Sequence, residues 1–233
     1  MGFFGGSFDP PHLGHLAVAR AARDALRLDR VLFAPVGAQP LKPNGSTAAF
    51  DDRVAMTELA IAGEPRFEIS LADAPQAAGM PNYTLETLRK LRNGMPEEST
   101  LFCLLGADSF LGLRHWRSGA EIPFVAPLIV ASRPGQRLDD LTAALPEGLT
   151  VEEERAEDTF GKDREADPER EIRSYRLRNR AQETTPFYLL PGLQVEISAS
   201  AIRQQVRSTA GASALDVLPA AVADYIRARN LYQ

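Results

Sequence analysis

The chain has 233 residues, 44% of them hydrophobic and 24% charged. That is the composition of a folded globular chain, and it excludes collagen, coiled coil and wholesale disorder. Lys plus Arg number 26 against 31 Asp plus Glu, a formal net charge of -5. The acidic balance argues against non-specific nucleic-acid binding, which runs on phosphate neutralisation. Any polyanion handled here is small and held by a local site. The single cysteine, Cys103, cannot form an internal disulfide, so a reducing compartment, the cytoplasm, is expected. No stretch approaches the ~20 apolar residues of a membrane span, and the start of the chain lacks the pattern of a secretory signal. Neither nucleic acid nor membrane is therefore expected as a partner. Oligomeric state cannot be read from the sequence.

Residues 1–6 (MGFFGG) form a short apolar run ending in two glycines, which reads as a buried strand entering a tight turn. Residues 13–28 carry Leu16, Val18, Ala19, Ala22 and Leu26 at helical spacing, with Pro10 and Pro11 just before, where a helix start tolerates proline. Residues 31–36 (VLFAPV) read as strand, about 50–62 as helix, 66–71 as strand and 84–93 as helix ended by Gly94. Residues 100–106 and 124–131 are strand-like, as is 187–198; 200–207 and about 215–229 read as two C-terminal helices. Short apolar runs alternating with amphipathic helices signal βαβ units. The fold class expected is α/β: a Rossmann-like, doubly wound, mainly parallel sheet with helices on both faces and a C-terminal helical part. One domain spanning 1–233 suits the length.

The texture changes near residue 151. Between Val151 and Thr185, 19 of 35 residues are charged, 11 acids and 8 bases. So little apolar surface predicts a disordered or solvated insertion at about 151–185. Its arginines (Arg170, Arg173, Arg176, Arg178, Arg180) are offset by the acids, so a solvated loop or helix is favoured over a polyanion site.

The most informative segment is Gly5-Gly6-Ser7-Phe8-Asp9-Pro10-Pro11-His12-Leu13-Gly14-His15. A strand, a glycine turn and a helix start present backbone N–H groups and a helix dipole to an anion. Gly5 and Gly6 let the main chain approach a ligand. His12 and His15 are three apart and share a helix face. Two imidazoles beside phosphate-binding amides can donate to phosphoryl oxygens and hold charge developing there. A lone His-x-x-His pair is common by chance; the whole ordered combination is not.

This segment resembles the H-x-G-H nucleotidyltransferase superfamily, and GGSFDPPHLGH is similar to the bacterial nicotinate-nucleotide adenylyltransferases. Further matches follow in that family's order. They are Asn82-Tyr83-Thr84, Gly106-Ala107-Asp108, His115-Trp116, Ser132-Arg133-Pro134-Gly135 and Ile197-Ser198-Ala199-Ser200-Ala201-Ile202-Arg203.

The resemblance implies transfer of the adenylyl group of ATP to nicotinate mononucleotide, giving deamido-NAD and pyrophosphate. It implies His12, His15 and Arg203 as catalytic residues. It puts Gly5, Gly6, Ser7, Phe8, Asp108, Ser198, Ser200 and Arg203 on ATP. The mononucleotide would meet Lys42, Asn82, Tyr83, Thr84, Trp116 and Arg133, with Trp116 stacked on the pyridine ring. Mg2+ is implied through the ATP phosphates, with no protein metal ligand assigned. Ser198-x-Ser200 could also be a plain helix N-cap, Trp116 a core residue and Lys42 a surface lysine. The main departure is Gln39-Pro40-Leu41-Lys42, where the family often has Pro-Pro-His-Lys; Leu41 cannot donate to a phosphate. Related readings are a nicotinamide-mononucleotide or phosphopantetheine adenylyltransferase, a class I aminoacyl-tRNA synthetase and a non-catalytic nucleotide sensor. The absence of a Lys-Met-Ser-Lys loop argues against the synthetase, and the retention of both histidines and Arg203 argues against the sensor.

Overall fold

Phe3 and Phe4 set the two layers of the protein. Successive side chains of a strand face opposite sides of a sheet, and these two rings enter two separate hydrophobic clusters. The computed structural model describes residues 1–41, 45–132, 142–153, 172–190, 197–208 and 216–233. Lys42, Arg133 and the central part of the charged stretch, 154–171, lie outside them.

In chain order the elements are strand β1 (Gly2–Gly6), helix α1 (Leu13–Ala25), β2 (Val31–Pro35), α2 (Phe50–Ile61) and β3 (Phe67–Ile69). Then come α3 (Thr84–Asn93), β4 (Phe102–Gly106), the short α4 (Ala107–Leu111), α5 (Ile122–Val125) and β5 (Leu128–Ala131). The last are β6 (Thr150–Glu153), β7 (Arg173–Arg178), β8 (Thr184–Leu190), α6 (Ala199–Arg207) and α7 (Ala220–Ala228). The strands form one sheet in the order β3-β2-β1-β4-β5-β8-β7-β6. From β3 to β8 neighbouring strands run parallel; β7 and β6 extend the sheet antiparallel.

One face carries Phe4, Val31, Phe33, Leu104 and Ile129 under Leu16 and Ala19 of α1, Met56 of α2, Ile202 of α6 and Val222 and Ile226 of α7. The other carries Phe3, Ala34, Cys103, Leu105 and Val130 under Leu88 of α3, Phe110 of α4 and Ile122 of α5. This is the doubly wound α/β arrangement read from the sequence. Both faces of the central strands are covered, which is why they read as unbroken apolar runs. Each fully buried side chain of this kind contributes about 1.5–3 kcal/mol. Among the described residues no helix is long and apolar enough to cross a membrane.

Two expectations are corrected. Residues 124–131 are not one strand: Ile122–Val125 is helical with Pro123 in its first turn, and the strand begins only at Leu128. Pro123 suits a first helical turn, and Pro127 lacks the N–H that a longer strand would need. The ends of the charged stretch are strands rather than a loop or helix. In β7 (RSYRLR) Tyr175 and Leu177 are buried while Arg173, Arg176 and Arg178 are not; in β8 Thr185, Phe187 and Leu189 are buried. That is period-2 alternation on a half-solvated antiparallel sheet. Counting charges over 35 residues concealed it.

Candidate active site

The strand order reverses its winding between β1 and β4, and ligands of open α/β sheets bind beyond the carboxyl ends of strands at such a point. Here β1 ends at Gly6 and β4 at Gly106, and a cleft of about 780 Å³ opens above them. Its lining includes every site residue expected from sequence that lies among the described residues: Gly5 to Phe8, His12, His15, Asn82 to Thr84, Asp108, Trp116, Ser198, Ser200 and Arg203. Segments from the two ends of the chain thus share one cavity.

His12 is the N-cap of α1, in extended conformation (φ -139°, ψ 168°). Its imidazole lies on that of His15, ring centroids 3.7 Å apart and planes 28° from parallel. The His12 backbone N–H donates to His15 Nδ1 at 3.2 Å. That bond places the neutral His15 proton on Nε2. Burial pushes the His12 pKa down to about 4. Burial, and then the neighbouring His12, hold His15 well below the ordinary histidine range. Both rings are neutral donors at pH 7, placed at the positive end of a 13-residue helix. Among the described residues His12 Nδ1 is the only buried side-chain polar atom without a hydrogen-bond partner. Such atoms require an explanation, and a ligand in the cleft supplies one.

The loop between β1 and α1 is held from below. Arg53 of α2, only 2% exposed, donates from Nη1 to the Ser7 carbonyl at 2.7 Å and from Nε to the Ala48 carbonyl at 3.3 Å. Arg203 donates from Nη1 to the Asp9 carbonyl at 2.6 Å and from Nη2 to Ser200 Oγ at 3.2 Å. The Asp9 carboxylate, 3% exposed, accepts the N–H groups of Thr47 (2.6 Å) and Ala48 (3.1 Å) and the Tyr232 hydroxyl (2.8 Å). With these carbonyls occupied by arginines, the opposite side of the loop is left to the cleft.

Phe8 adopts a positive φ (46°) and turns its ring into the core against Phe4, Phe33 and His15. Its side chain props His15, so what Phe8 offers the cleft is backbone. Gly5 also has a packing reason: a Cβ there would lie 2.9 Å from the Phe3 ring. A Cβ on Gly106 would meet nothing within 4 Å, so that glycine keeps the end of β4 open.

Ser198 stands at the N-cap of α6, but its side chain makes no cap hydrogen bond. A plain capping role therefore does not account for its hydroxyl. Asp108 lies in the first turn of α4 at the cleft. Asn82 is buried and its amide is engaged: Oδ1 accepts the Ala38 N–H at 3.0 Å, and Nδ2 donates to the Ala74 carbonyl at 2.9 Å. It holds two loops together as the wall of the cleft. Trp116 is half-buried and lines the cleft, and the Arg117 guanidinium carbon sits 4.5 Å from the Tyr83 ring centroid. Leu41 lines the mouth, largely exposed.

Sequence reading missed Arg53, Asp73, Arg117 and Tyr232 as parts of this site. Asp73 is 3% exposed, lines the cleft floor and accepts the Thr87 hydroxyl on Oδ1 at 2.5 Å; burial raises its pKa. A buried arginine on an amphipathic helix and a tyrosine over two hundred residues from its partner leave no local signal. Asp9 was visible inside the glycine-rich segment, and the burial of its carboxylate under donors from two distant segments, 47–48 and Tyr232, was not.

A family model described as Cytidylyltransferase-like matches residues 3–205. A protein of Citrifermentans bemidjiense named "Probable nicotinate-nucleotide adenylyltransferase" is 35% identical over 232 residues, covering 100% of this chain and 97% of its own. One of the same name from Stenotrophomonas maltophilia is 38% identical over 240 residues, covering 99% and 96%. The solved Plasmodium falciparum nicotinic acid mononucleotide adenylyltransferase complexed with NaAD superposes with a TM-score of 0.68 at 16% identity over 99% of this chain and 96% of its own, which shows a shared fold. The chain belongs to the Cytidylyltransferase-like family and, within it, groups with the bacterial nicotinate-nucleotide adenylyltransferases.

Proposed function

We propose that the chain joins nicotinate mononucleotide to the adenylyl group of ATP, releasing pyrophosphate and forming deamido-NAD. The observation that carries this reading is the stacked, neutral His12–His15 pair facing Arg203 across one cleft. A phosphate oxygen of the mononucleotide attacks the α-phosphorus of ATP. A new P–O bond forms, and the bond to the bridging oxygen of the β-phosphate breaks. The attacking phosphate is largely dianionic at neutral pH, its second pKa being ~6, so no general base is required.

The remaining work is alignment and stabilisation of negative charge on departing pyrophosphate. His15, with its proton on Nε2, donates to phosphoryl oxygens together with His12 and the N–H groups at the start of α1. Arg203, Ser198 and Ser200 receive the β- and γ-phosphates. Gly5, Gly6, Ser7 and Phe8 contribute main chain along the nucleotide, and Asp108 accepts from its hydroxyls. Trp116 stacks on the pyridine ring, with Tyr83 and Thr84 shaping the pocket that Asn82 frames. Lys42 and Arg133 are proposed for the mononucleotide phosphate on resemblance alone. A divalent metal belongs to this chemistry, and Mg2+ enters with ATP as part of the substrate. We place the enzyme in the cytoplasm; burial pushes the Cys103 thiol up to about 12, leaving it protonated.

The test is pyrophosphate release from MgATP with nicotinate mononucleotide, nicotinamide mononucleotide or phosphopantetheine. The acid mononucleotide is expected to give the highest kcat/KM by a clear margin. A clear win for either other acceptor overturns the substrate assignment. ATP binding without turnover on any acceptor points to the nucleotide sensor instead.

A further inference from the structure

We propose that Tyr232 is a positioning residue for the triphosphate end of the cleft, acting through Asp9. This rests on the adenylyl-transfer reading above. Tyr232 is 6% exposed, its ring belongs to the hydrophobic cluster that includes residues of α1 and α2, and its hydroxyl donates to Asp9 Oδ1 at 2.8 Å. The same carboxylate accepts the Thr47 and Ala48 N–H groups, and its Oδ2 lies 3.9 Å from Arg203 Nη1. That Arg203 nitrogen is the one bonded to the Asp9 carbonyl. A single residue of the phosphate loop is therefore tied by its side chain to Tyr232 and by its backbone to the arginine that faces the cleft.

The connection is reinforced at a second point. The Leu13 N–H, in the first turn of α1, donates to the Val217 carbonyl at 3.0 Å. Between these two attachments α7 is fastened to α2, with the Tyr225 hydroxyl on Asp52 Oδ1 at 2.8 Å and Arg229 Nη2 on the same oxygen at 3.2 Å. The segment 217–232 thus backs the phosphate loop on the side away from the cleft. It fixes where Asp9, His12 and Arg203 stand relative to one another. A hydroxyl bonded to a buried carboxylate is a charge-assisted contact. Removing it leaves Asp9 short of one donor and free to draw Arg203 inward, away from the phosphates.

Tyr232→Phe keeps the ring and its packing while deleting the hydroxyl. ATP affinity is measured by calorimetry without any mononucleotide, and KM for each substrate in the pyrophosphate assay. ATP binding is expected to weaken several-fold, about three- to tenfold, part of the worth of one charge-assisted hydrogen bond. KM for the mononucleotide is expected to stay within twofold, and the thermal midpoint to fall by only a few degrees, roughly 2–4 °C per kcal/mol lost. Arg203→Lys supplies the second variant: if Tyr232 acts through the Asp9–Arg203 pair, the two substitutions combine with less than the product of their separate effects. Unchanged ATP affinity in Tyr232→Phe, equal losses for both substrates in step with falling stability, or fully multiplicative effects with Arg203→Lys would each overturn the proposal. Because ATP binding is read alone, a wrong choice of second substrate leaves this result intact. A parent chain that binds no ATP ends the adenylyl-transfer reading and this inference together.

Discussion

The two ends of the cleft are built differently. At the phosphate end, Asp9, Arg53, Arg203 and Tyr232 form a buried network that joins four segments of the chain. His15 rests on Phe4 and Phe8, which pack in turn on Phe33. At the ring end, Trp116, Tyr83 and Arg117 are half-buried or exposed; Arg117 lies over the Tyr83 ring and makes one long ion pair, to Glu86 at 3.5 Å. The contrast follows from what each end has to bind. Stabilising charge that develops in a transition state requires donors fixed beforehand, since any reorganisation subtracts from the stabilisation. A flat heteroaromatic ring needs area and a complementary face, which a few adaptable aromatics provide.

The largest effect should come from the wired end. His15→Ala removes a positioned donor while leaving the aromatic floor in place. Turnover in the pyrophosphate assay is expected to fall ~10²–10³-fold, the usual loss for one such donor, with a cooperative thermal transition retained. Near-normal turnover would refute the role of His15 and dissolve the contrast.

The same end should carry a pH signature in stability. The folded His12 pKa is depressed to about 4 from 6.5. Below pH 6.5 the unfolded chain takes up a proton that the folded chain refuses. Stability therefore falls as pH drops from about 6.5 to about 4 and levels off below. The full effect of one group shifted this far is about 3 kcal/mol. His15, shifted the same way, adds to it; Asp73, whose carboxyl pKa is raised by burial, opposes it at the acid end of the window. Urea unfolding at a series of pH values, for the parent and for His12→Gln, isolates the His12 share. A parent curve no steeper than that of His12→Gln would show the ring to be solvated and the end less closed than described.

At the ring end the expected losses are smaller and confined to one substrate. Trp116→Ala should raise KM for the mononucleotide about tenfold, within the ~1–3 kcal/mol of one base–aromatic stack, and leave ATP affinity unchanged. Equal weakening of ATP would mean that Trp116 supports the whole cleft and that the two ends are not separate.

The same division governs what could be read from the sequence. The parallel half announced itself because its strands are buried on both faces and its helices carry one apolar stripe, as in Gly2–Gly6 followed by Leu13–Ala25. Much of the cleft lining was legible because it clusters in short runs, within Gly5 to His15, Asn82 to Thr84 and Ser198 to Arg203. The network behind them was not, because Tyr232 and Asp9 are joined only by the folded chain, and Arg53 looks like any exposed helix arginine until its burial is known. The antiparallel extension was misread for another reason. Arg176 and Arg178 of β7 sit on the solvated side of a strand whose other side holds Tyr175 and Leu177, and a composition window averages the two faces.

The smallest effect belongs to Arg117. Its guanidinium carbon lies 4.5 Å from the Tyr83 ring centroid, its side chain is 62% exposed, and Glu86 partly neutralises it at 3.5 Å. A cation over an exposed ring is worth only a few tenths to about 1 kcal/mol, and an exposed ion pair about as little. Arg117→Gln keeps a polar planar group over Tyr83 and removes the charge, so KM for the mononucleotide should rise about two- to fivefold with kcat and ATP affinity unchanged. The loss should shrink further when the parent is compared at 0.5 M salt, because screening already removes most of what an exposed cation contributes. A tenfold or greater loss that persists in salt would mean that Arg117 meets the bound mononucleotide out of reach of solvent. The ring end would then be as firmly preorganised as the phosphate end.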